Sequence, residues 1–227
     1  MPKPMAYYTS TLLPQQGAHP ISSNEVYLPR SLLESCSLHL YYTLPPILFV
    51  DTHELGQRSA SYSFKYWGTK DLERPVHALS EDISELLINV GTDGHVIDDE
   101  GSTVRVEVPM HLRYGRPVWK DGKPYESVTI DWPQAFLQCS TIQPHSSFSP
   151  PSLPSHILSA LPSSKADSIL ISILPRFNSS ESTQSTLTLP LGNSRDLSVV
   201  EPLTALVIIA CFLWLLRVSL KVAARIH

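Results

Sequence analysis

The sequence predicts an all-β fold: an antiparallel β-sandwich of jelly-roll or immunoglobulin-like kind, followed by one C-terminal transmembrane helix. Eight short segments have the apolar alternation or the β-branched and aromatic content of strands. The 20 Pro and 9 Gly among 227 residues interrupt the chain often, which disfavours long helices. An uncharged apolar run near the C-terminus is the exception. The predicted strands cover residues 37–44, 62–67, 86–90, 104–114, 127–130, 135–139, 169–174 and 187–191.

The domain organisation follows from shifts in composition along the chain. Residues 1–35 contain scattered Pro, Ser and Gln without a sustained period, so we expect a loosely ordered arm there. A β domain then covers residues 36–200, with a Ser/Pro-rich insertion at about 140–186. Such a composition buries little apolar surface, except at residues 169–174, which could add a strand to the sandwich. A transmembrane helix at 201–220 and a tail at 221–227 complete the chain.

The clearest strand pattern is VRVEVPMHLRY, at residues 104–114. Val104, Val106 and Val108 would face one side of an extended strand, and the charged residues between them would face the other. One face therefore belongs in a core, and the opposite face meets water or a partner. Pro109 lacks a backbone donor, which suits the edge of a sheet or a bulge rather than the middle of a sheet.

Charge and cysteine content restrict the class of protein. The formal net charge of -4 and the pI near 6.1 indicate no basic face, so nucleic acid is not an expected partner. Of the 3 Cys, Cys211 lies in the apolar run, which leaves Cys36 and Cys139 as the plausible disulfide pair. A disulfide in an oxidising compartment and two separate buried thiols both remain open, because sequence does not give the distance between their Cα atoms.

The apolar run at residues 203–216 is uncharged. If Arg217 extends its charge towards the interface, the segment reaches residue 220, which is long enough to span the hydrocarbon layer. A buried amphipathic helix is the alternative, but the run has no polar face before Arg217. Basic residues follow the run, at Arg217, Lys221 and Arg225, so the positive-inside tendency predicts a cytosolic tail and most of the chain on the opposite side.

Two features bear on that topology. Residues 1–13 contain no apolar block long enough for a secretory signal, so either the terminal helix drives translocation or the true start lies upstream. Asn178 begins the sequence Asn-Ser-Ser, the single glycosylation sequon of the chain. It is an N-glycosylation candidate in a polar loop on the predicted non-cytosolic side.

Asp51, His53 and Glu54 form the first cluster of residues that could carry chemistry. The cluster could serve as a metal site or an acid/base site, but a single local His is a poor match to zinc-ligand spacing. The alternative is a solvated turn in which Asp51 or Thr52 accepts a backbone hydrogen bond and caps the following segment. We expect no metal and no cofactor.

His111, Arg113 and Tyr114 form the second cluster, a polar strip on the predicted strand at residues 104–114. Such a strip could bind a phosphate or carboxylate, although a strip on a strand face is more often an interaction surface. The sequence contains no phosphate-binding glycine loop and no Gly-x-Ser-x-Gly nucleophile motif. We therefore expect no catalytic residues.

Several dispersed motifs follow one another along the chain. They are Leu44-Pro45-Pro46 with Phe49, Asp51, Glu54 and Leu55; Asp71-Leu72-Glu73 with Pro75-Val76; Val108-Pro109-x-His111-Leu112-Arg113-Tyr114; Phe136 to Cys139; and Leu189-Pro190-Leu191-Gly192 with Val199 and Val200. These motifs resemble, in the same order, those of the family of the small GPI-mannosyltransferase subunit, called PIG-X in animals and Pbn1 in fungi. Several motifs in the right order are more specific than any one motif alone. The resemblance covers most of residues 36–139 and resumes from Leu187 to about Thr204.

The resemblance implies a protein of the endoplasmic-reticulum membrane, with its bulk in the lumen and one C-terminal span. In that family the protein is the non-catalytic partner of a multi-spanning enzyme that adds the first mannose to the GPI-anchor precursor, and it stabilises that enzyme. The family supplies no catalytic residues to carry over. His111, Arg113 and Tyr114 are then candidates for partner contact or fold maintenance.

Two other functions remain as alternatives. One is a general lumenal folding factor for a subset of membrane and secreted proteins, which predicts defects in unrelated lumenal proteins. The other is a lumenal enzyme that uses His111 or the Asp51–Glu54 cluster. For such an enzyme, His111→Ala would abolish function while leaving the abundance of the protein and its partner unchanged.

Overall fold

A computed structural model describes residues 6–33, 35–69, 71–72, 74–79, 83–91, 101–118, 122–140, 149–162, 168–176 and 182–226. The strands are β1 Tyr7–Leu13, β2 Ile21–Pro29, β3 Cys36–Leu44, β4 Leu48–Phe49, β5 Tyr62–Trp67, β6 Ser84–Val90, β7 Gly101–Pro109, β8 His111–Leu112, β9 Tyr125–Asp131, β10 Gln134–Cys139, β11 Ile169–Ser172, β12 Leu174–Pro175 and β13 Gln184–Pro190. The α-helices are α1 Arg30–Leu33, α2 Thr52–Gly56, α3 Ser155–Ala160 and α4 Leu197–Ile226, with a 3-10 turn at Val76–Ala78.

Two main sheets form the β domain. One has the strand order β12-β1-β2-β7, and the other has the order β11-β10-β3-β6-β5. Neighbouring strands in these sheets are antiparallel except β1 and β12, which are parallel. Two further two-stranded sheets are formed by β9 with β13 and by β4 with β8, and the β4–β8 pair is antiparallel. The predicted all-β fold is confirmed, and each of the eight predicted segments contains a strand.

In β7, apolar and charged residues alternate, and this alternation matches the observed burial, as predicted. Val104, Val106 and Val108 are buried, while Arg105 and Glu107 between them are exposed. The strand lies at the edge of its sheet, which confirms the position expected for a strand that ends at a proline. The prediction of one continuous strand to residue 114 is wrong, because β7 ends at Pro109 and β8 covers only His111–Leu112, where the chain gains β4 as a partner. Hydrogen bonds from Met110 N to the Pro20 carbonyl oxygen and from Leu112 N to the Ala18 carbonyl oxygen continue the contact with the segment before β2.

The N-terminal region is more ordered than expected, so the prediction of a loosely ordered arm at residues 1–35 is wrong. This region contains β1 and β2, which form the middle of the first sheet. Several inward positions of β1 and β2 carry small polar side chains. The sequence therefore lacks the regular alternation of apolar residues that identifies a strand. The Tyr42 hydroxyl of the facing sheet lies 3.1 Å from Ser22 Oγ and accepts a hydrogen bond from Asn24 Nδ2 at 2.7 Å. Buried polar groups paired in this way cost little to bury.

Part of the Ser/Pro-rich insertion is packed against the β domain. In helix α3, Ile157 is fully buried and forms a cluster with Tyr41, Leu87 and Phe136. This cluster lies on the outer face of the second sheet, so both faces of that sheet are covered. The apolar segment at 169–174 adds a strand as expected, because β11 pairs with the edge of β10.

Cys36 and Cys139 lie directly opposite each other on β3 and β10, and their sulfur atoms are 2.08 Å apart in a disulfide bond. Both residues are buried. Of the two alternatives that the sequence left open, the structure contains the disulfide. The bond joins positions 103 residues apart.

A second compact unit comprises residues 116–125 and 191–227, described to residue 226. In this unit Val118 forms a parallel bridge with Asn193, and Val118 N donates to the Gly192 carbonyl oxygen at 2.9 Å. Helix α4 has 30 residues, begins earlier and ends later than the predicted span at 201–220, and exposes its apolar side chains. It is long enough and apolar enough to cross a membrane.

Candidate functional site

The candidate site is built where β4 pairs with β8. In this short antiparallel ladder Leu48 lies opposite Leu112, and Phe49 lies opposite His111. The ladder brings the motif around Pro45–Leu55 into contact with the motif that ends at Tyr114. A backbone hydrogen bond of 2.8 Å from Leu112 N to the Ala18 carbonyl oxygen adds the loop between β1 and β2. We call Phe49, Glu54, His111 and Arg113, together with His19, the His111 cluster.

The His111 imidazole contacts three side chains of this cluster. Its Nε2 atom lies 2.7 Å from Glu54 Oε2, and its Nδ1 atom lies 2.9 Å from His19 Nδ1. The Phe49 ring stacks on it, with ring centroids 5.3 Å apart. Because two Nδ1 atoms face each other at hydrogen-bond distance, one must carry a proton and the other must accept it. The contact therefore requires opposite donor and acceptor roles for the two Nδ1 atoms.

Arg113 is the most buried member of the cluster, with 3% of its surface exposed. Its Nη1 group donates to the carbonyl oxygens of Asp71, Leu72 and Arg74 at 2.7, 3.3 and 3.0 Å. The guanidinium carbon also lies 4.4 Å from the centre of the Phe49 ring, a cation–π contact. Burial lowers the pKa of Arg113, an effect that Tyr66 and Asp71 oppose. Arg113 thus holds the segment after Thr69 against β4 and β8.

The cluster of Asp51, His53 and Glu54 separates into two structural roles. Asp51 Oδ1 accepts a hydrogen bond of 2.8 Å from His53 N and caps the start of α2, as the capping interpretation predicted. Glu54, one turn later, faces His111 instead. Among the described residues, no group of three or more His, Cys, Asp or Glu side chains is arranged to hold a metal ion.

Tyr114 differs from the two polar residues before it. Its side chain is 85% exposed, while its carbonyl oxygen accepts a hydrogen bond of 3.3 Å from Val76 N. The predicted polar strip is therefore not one surface. Arg113 points into the protein, His111 is partly covered, and Tyr114 is presented to solvent on a backbone held by the neighbouring segment.

Some residues near the site were not found from the sequence. His19 lies in the N-terminal region for which little order was expected, and Gly68, Thr69 and Ser84 line a cleft beside Arg113. The side chains of these residues are small or polar, and they belong to no recognisable sequence motif. Only the pairing of distant strands brings these residues together. Asn178, the predicted glycosylation site, lies outside the described residues.

Comparison with known proteins gives a consistent set of relatives. Protein pbn1 of Emericella nidulans is 29% identical over 150 residues, which cover 60% of this chain and 28% of that protein. Protein pbn1 of Schizosaccharomyces pombe is 26% identical over 147 residues, which cover 61% and 42%. The GPI alpha-1,4-mannosyltransferase I, stabilizing subunit, of Mus musculus is 29% identical over 110 residues, which cover 47% and 40%. The matched part thus spans less than half the length of each of these relatives.

No solved structure matches the chain. The family model described as PIG-X / PBN1 matches residues 15–220. That match begins before β2 and continues into α4, so it includes the ladder of β4 and β8, the disulfide and most of the apolar helix. The chain therefore belongs to the PIG-X / PBN1 family.

Proposed function

We propose that this chain is a non-catalytic subunit that stabilises the catalytic subunit of GPI mannosyltransferase I, which adds the first mannose to GPI-anchor precursors. The observation that carries the proposal is the family match over residues 15–220. The mouse relative, which is named a stabilizing subunit of GPI alpha-1,4-mannosyltransferase I, supports it. The proposed partner is a multi-spanning membrane enzyme.

The architecture suits an accessory role. His111 contacts Glu54 and His19, and Arg113 Nη1 donates to backbone carbonyl oxygens, so both residues tie motifs together. We assign these two side chains to fold maintenance. Tyr114 is held at its backbone and exposed at its ring, and aromatic side chains of this kind are enriched at protein interfaces. We assign Tyr114 to partner contact.

We propose that the β domain lies in the lumen of the endoplasmic reticulum and that α4 spans the membrane. The disulfide between Cys36 and Cys139 supports an oxidising compartment. The basic residues after the apolar run, Arg217, Lys221 and Arg225, support a cytosolic C-terminus. Asn178 would then be on the glycosylated side of the membrane.

The function is tested in membranes that lack this chain, by measuring first-step mannosylation after the catalytic subunit is expressed back to its normal level. Recovered activity would mean that the chain acts by keeping its partner folded and present, as proposed. Persistent loss at normal enzyme level would contradict a purely stabilising role. Depletion of unrelated lumenal proteins in the same cells would instead favour the general folding factor.

A further inference from the structure

Arg113 lines a cleft that lies beside the His111 cluster. The cleft has a volume of about 180 Å³ and lies between the start of β6, the end of β5 and the Pro46–Leu48 segment. Its polar lining residues are Thr69, Ser84 and Arg113, beside Gly68. Its walls are otherwise apolar. Ligand sites usually combine apolar walls with a few polar groups, and this cleft is smaller than most of them, with room only for a small group.

The guanidinium of Arg113 is only partly used by the protein. Nη1 donates to three carbonyl oxygens, but Nε and Nη2 have no hydrogen-bond partner among the described residues. Both atoms have almost no solvent-accessible surface, so water does not replace the missing acceptor and an anion reaches them only after a small shift of the Arg113 side chain. Buried donors are almost always paired in native proteins. The Nε and Nη2 groups together form the edge of arginine that pairs with two oxygens of one anion.

Charge also favours an anion at this position. The three acceptors of Arg113 are neutral carbonyl groups. The nearby Asp71 carboxylate is engaged with Arg74, at 2.9 Å. Among the described residues, no carboxylate forms a salt bridge with Arg113, so none of these residues directly neutralises its buried positive charge. A buried charge in that state is stabilised strongly by an incoming oxyanion.

The other lining groups indicate which oxyanion fits. Thr69 Oγ1 accepts a hydrogen bond from Asp71 N, so its own proton remains available for donation. Ser84 brings a second hydroxyl from a different strand. A Cβ on Gly68 would lie 2.4 Å from Ser84 Oγ, so only glycine permits this close approach. Donors that converge from several elements suit a tetrahedral group better than a planar carboxylate, which the arginine edge alone would satisfy.

We propose that this cleft binds a phosphate group, with Arg113 as its cationic anchor and the Ser84 and Thr69 hydroxyls as further donors. The site is distinct from the proposed contact at Tyr114 and does not depend on the proposed function. A phosphate monoester or diester would place its phosphate group in the cleft. The organic group attached to the phosphate would extend out of the cleft past the exposed side chain of Ile83.

The test is phosphorus NMR of inorganic phosphate titrated with the full-length chain in detergent micelles at constant ionic strength. We expect saturable line broadening with the native chain and at least a roughly tenfold weaker affinity for Ser84→Ala, because one hydrogen bond to a charged group is lost. The matched control is Ser63→Ala, on β5 outside the cleft, which should bind phosphate like the native chain. Arg113→Lys should abolish binding.

If Arg113→Lys fails to fold, the comparison of Ser84→Ala with Ser63→Ala still decides the question. Absence of saturable binding by the native chain would overturn the proposal and leave Arg113 a structural residue. Equal weakening by Ser63→Ala would also overturn it, because the binding would then not belong to the cleft. Displacement of phosphate by acetate at equal concentration would overturn the assignment to phosphate in favour of a carboxylate.

Discussion

The Nε2 atom of His111 lies 2.7 Å from Oε2 of Glu54, and this contact joins α2 to β8 across 57 residues of sequence. Both side chains are partly exposed, at 22% and 38%. Solvent therefore weakens the interaction without removing it. The contact links two motifs of the family through their side chains, while the ladder of β4 and β8 links them through the backbone.

The first prediction concerns this pair. Glu54→Gln and His111→Gln should each lower the free energy of unfolding, with a coupling of about 0.5–1 kcal/mol in a double-mutant cycle. The measurement is urea unfolding of the four chains in micelles. His53→Gln, at an exposed position of the same helix, is the control and should change little. Additive single effects would show that the two side chains do not interact in solution.

The second prediction concerns Arg113. Arg113→Lys should cost about 2–4 kcal/mol, because the ammonium group cannot reproduce three carbonyl contacts and the stacking on Phe49. Arg105→Lys is a matched control, since Arg105 is an exposed residue paired with Glu25 and its change should cost less than about 1 kcal/mol. Faster amide exchange at Leu72 and Val76 in the first variant would locate the loss. Equal stability of the two variants would contradict the fold-maintaining role.

The third prediction concerns the packed part of the Ser/Pro-rich insertion. Ile157→Ala should cost about 2–4 kcal/mol, because it opens a cavity against Tyr41, Leu87 and Phe136. Leu158→Ala, on the next position of the same helix, is 45% exposed and should cost less than about 1 kcal/mol. Thermal unfolding of the two chains distinguishes them. Similar melting temperatures would mean that α3 does not pack on the sheet.

The fourth prediction concerns acid stability and His39, a buried residue on β3 that stacks on Phe136. Burial lowers the pKa of His39 from 6.5 to about 4, and the Gln138 side chain opposes only part of that shift. Between pH 6.5 and about pH 4, His39 is therefore protonated in the unfolded chain but neutral in the folded chain. Stability from this residue is complete above pH 6.5 and falls as the pH decreases towards 4, by up to about 3 kcal/mol.

Unfolding free energies of the native chain and of His39→Phe, measured from neutral pH to pH 4, check this prediction. The variant keeps an aromatic ring against Phe136 but has no titrating group, so its stability should decline less with acid. His53→Gln should follow the native profile. If native and His39→Phe chains lose stability in parallel, His39 does not carry the acid sensitivity.

The fifth prediction concerns topology. In cells, Asn178 should carry an N-linked glycan, because its sequon would face the lumen if α4 has a cytosolic C-terminus. Endoglycosidase treatment should then increase the mobility of the native chain on a gel and leave Asn178→Gln unchanged. A glycan on a sequon introduced after Arg225, with none at Asn178, would indicate the inverted orientation.

Sequence patterns predicted the strands whose buried faces are apolar, and they failed where burial is polar. β3, β5 and β7 were located because apolar residues alternate in them or aromatic residues dominate them. β1 and β2 were missed because Ser10, Ser22 and Asn24 occupy inward positions. The pairing of Ser22 and Asn24 with the distant Tyr42 cannot be inferred from local sequence. Helix α3 is a six-residue element in a Ser/Pro-rich segment, too short for its period to be visible.

The candidate site shows the same limit. His111, Arg113 and Tyr114 were identified from their motif, but one polar strip was expected where the structure has a partly covered, a buried and an exposed side chain. The difference arises because the pairing partner of β8 is β4, which has two residues and no detectable period. Arg113 is buried by the segment that contains Asp71 and Arg74, and only the folded chain brings that segment to it.

The parallel pairing of β1 with β12 has a consequence for the order in which the chain is made. β1 is synthesised early, but its partner residues Leu174 and Pro175 emerge only about ten to thirty seconds later at ordinary translation rates. During that interval the outer edge of β1 remains unpaired and open to association with other chains. β13 and then the apolar helix that begins at Leu197 follow β12 in the chain. The first sheet can therefore be completed only shortly before the apolar helix is synthesised.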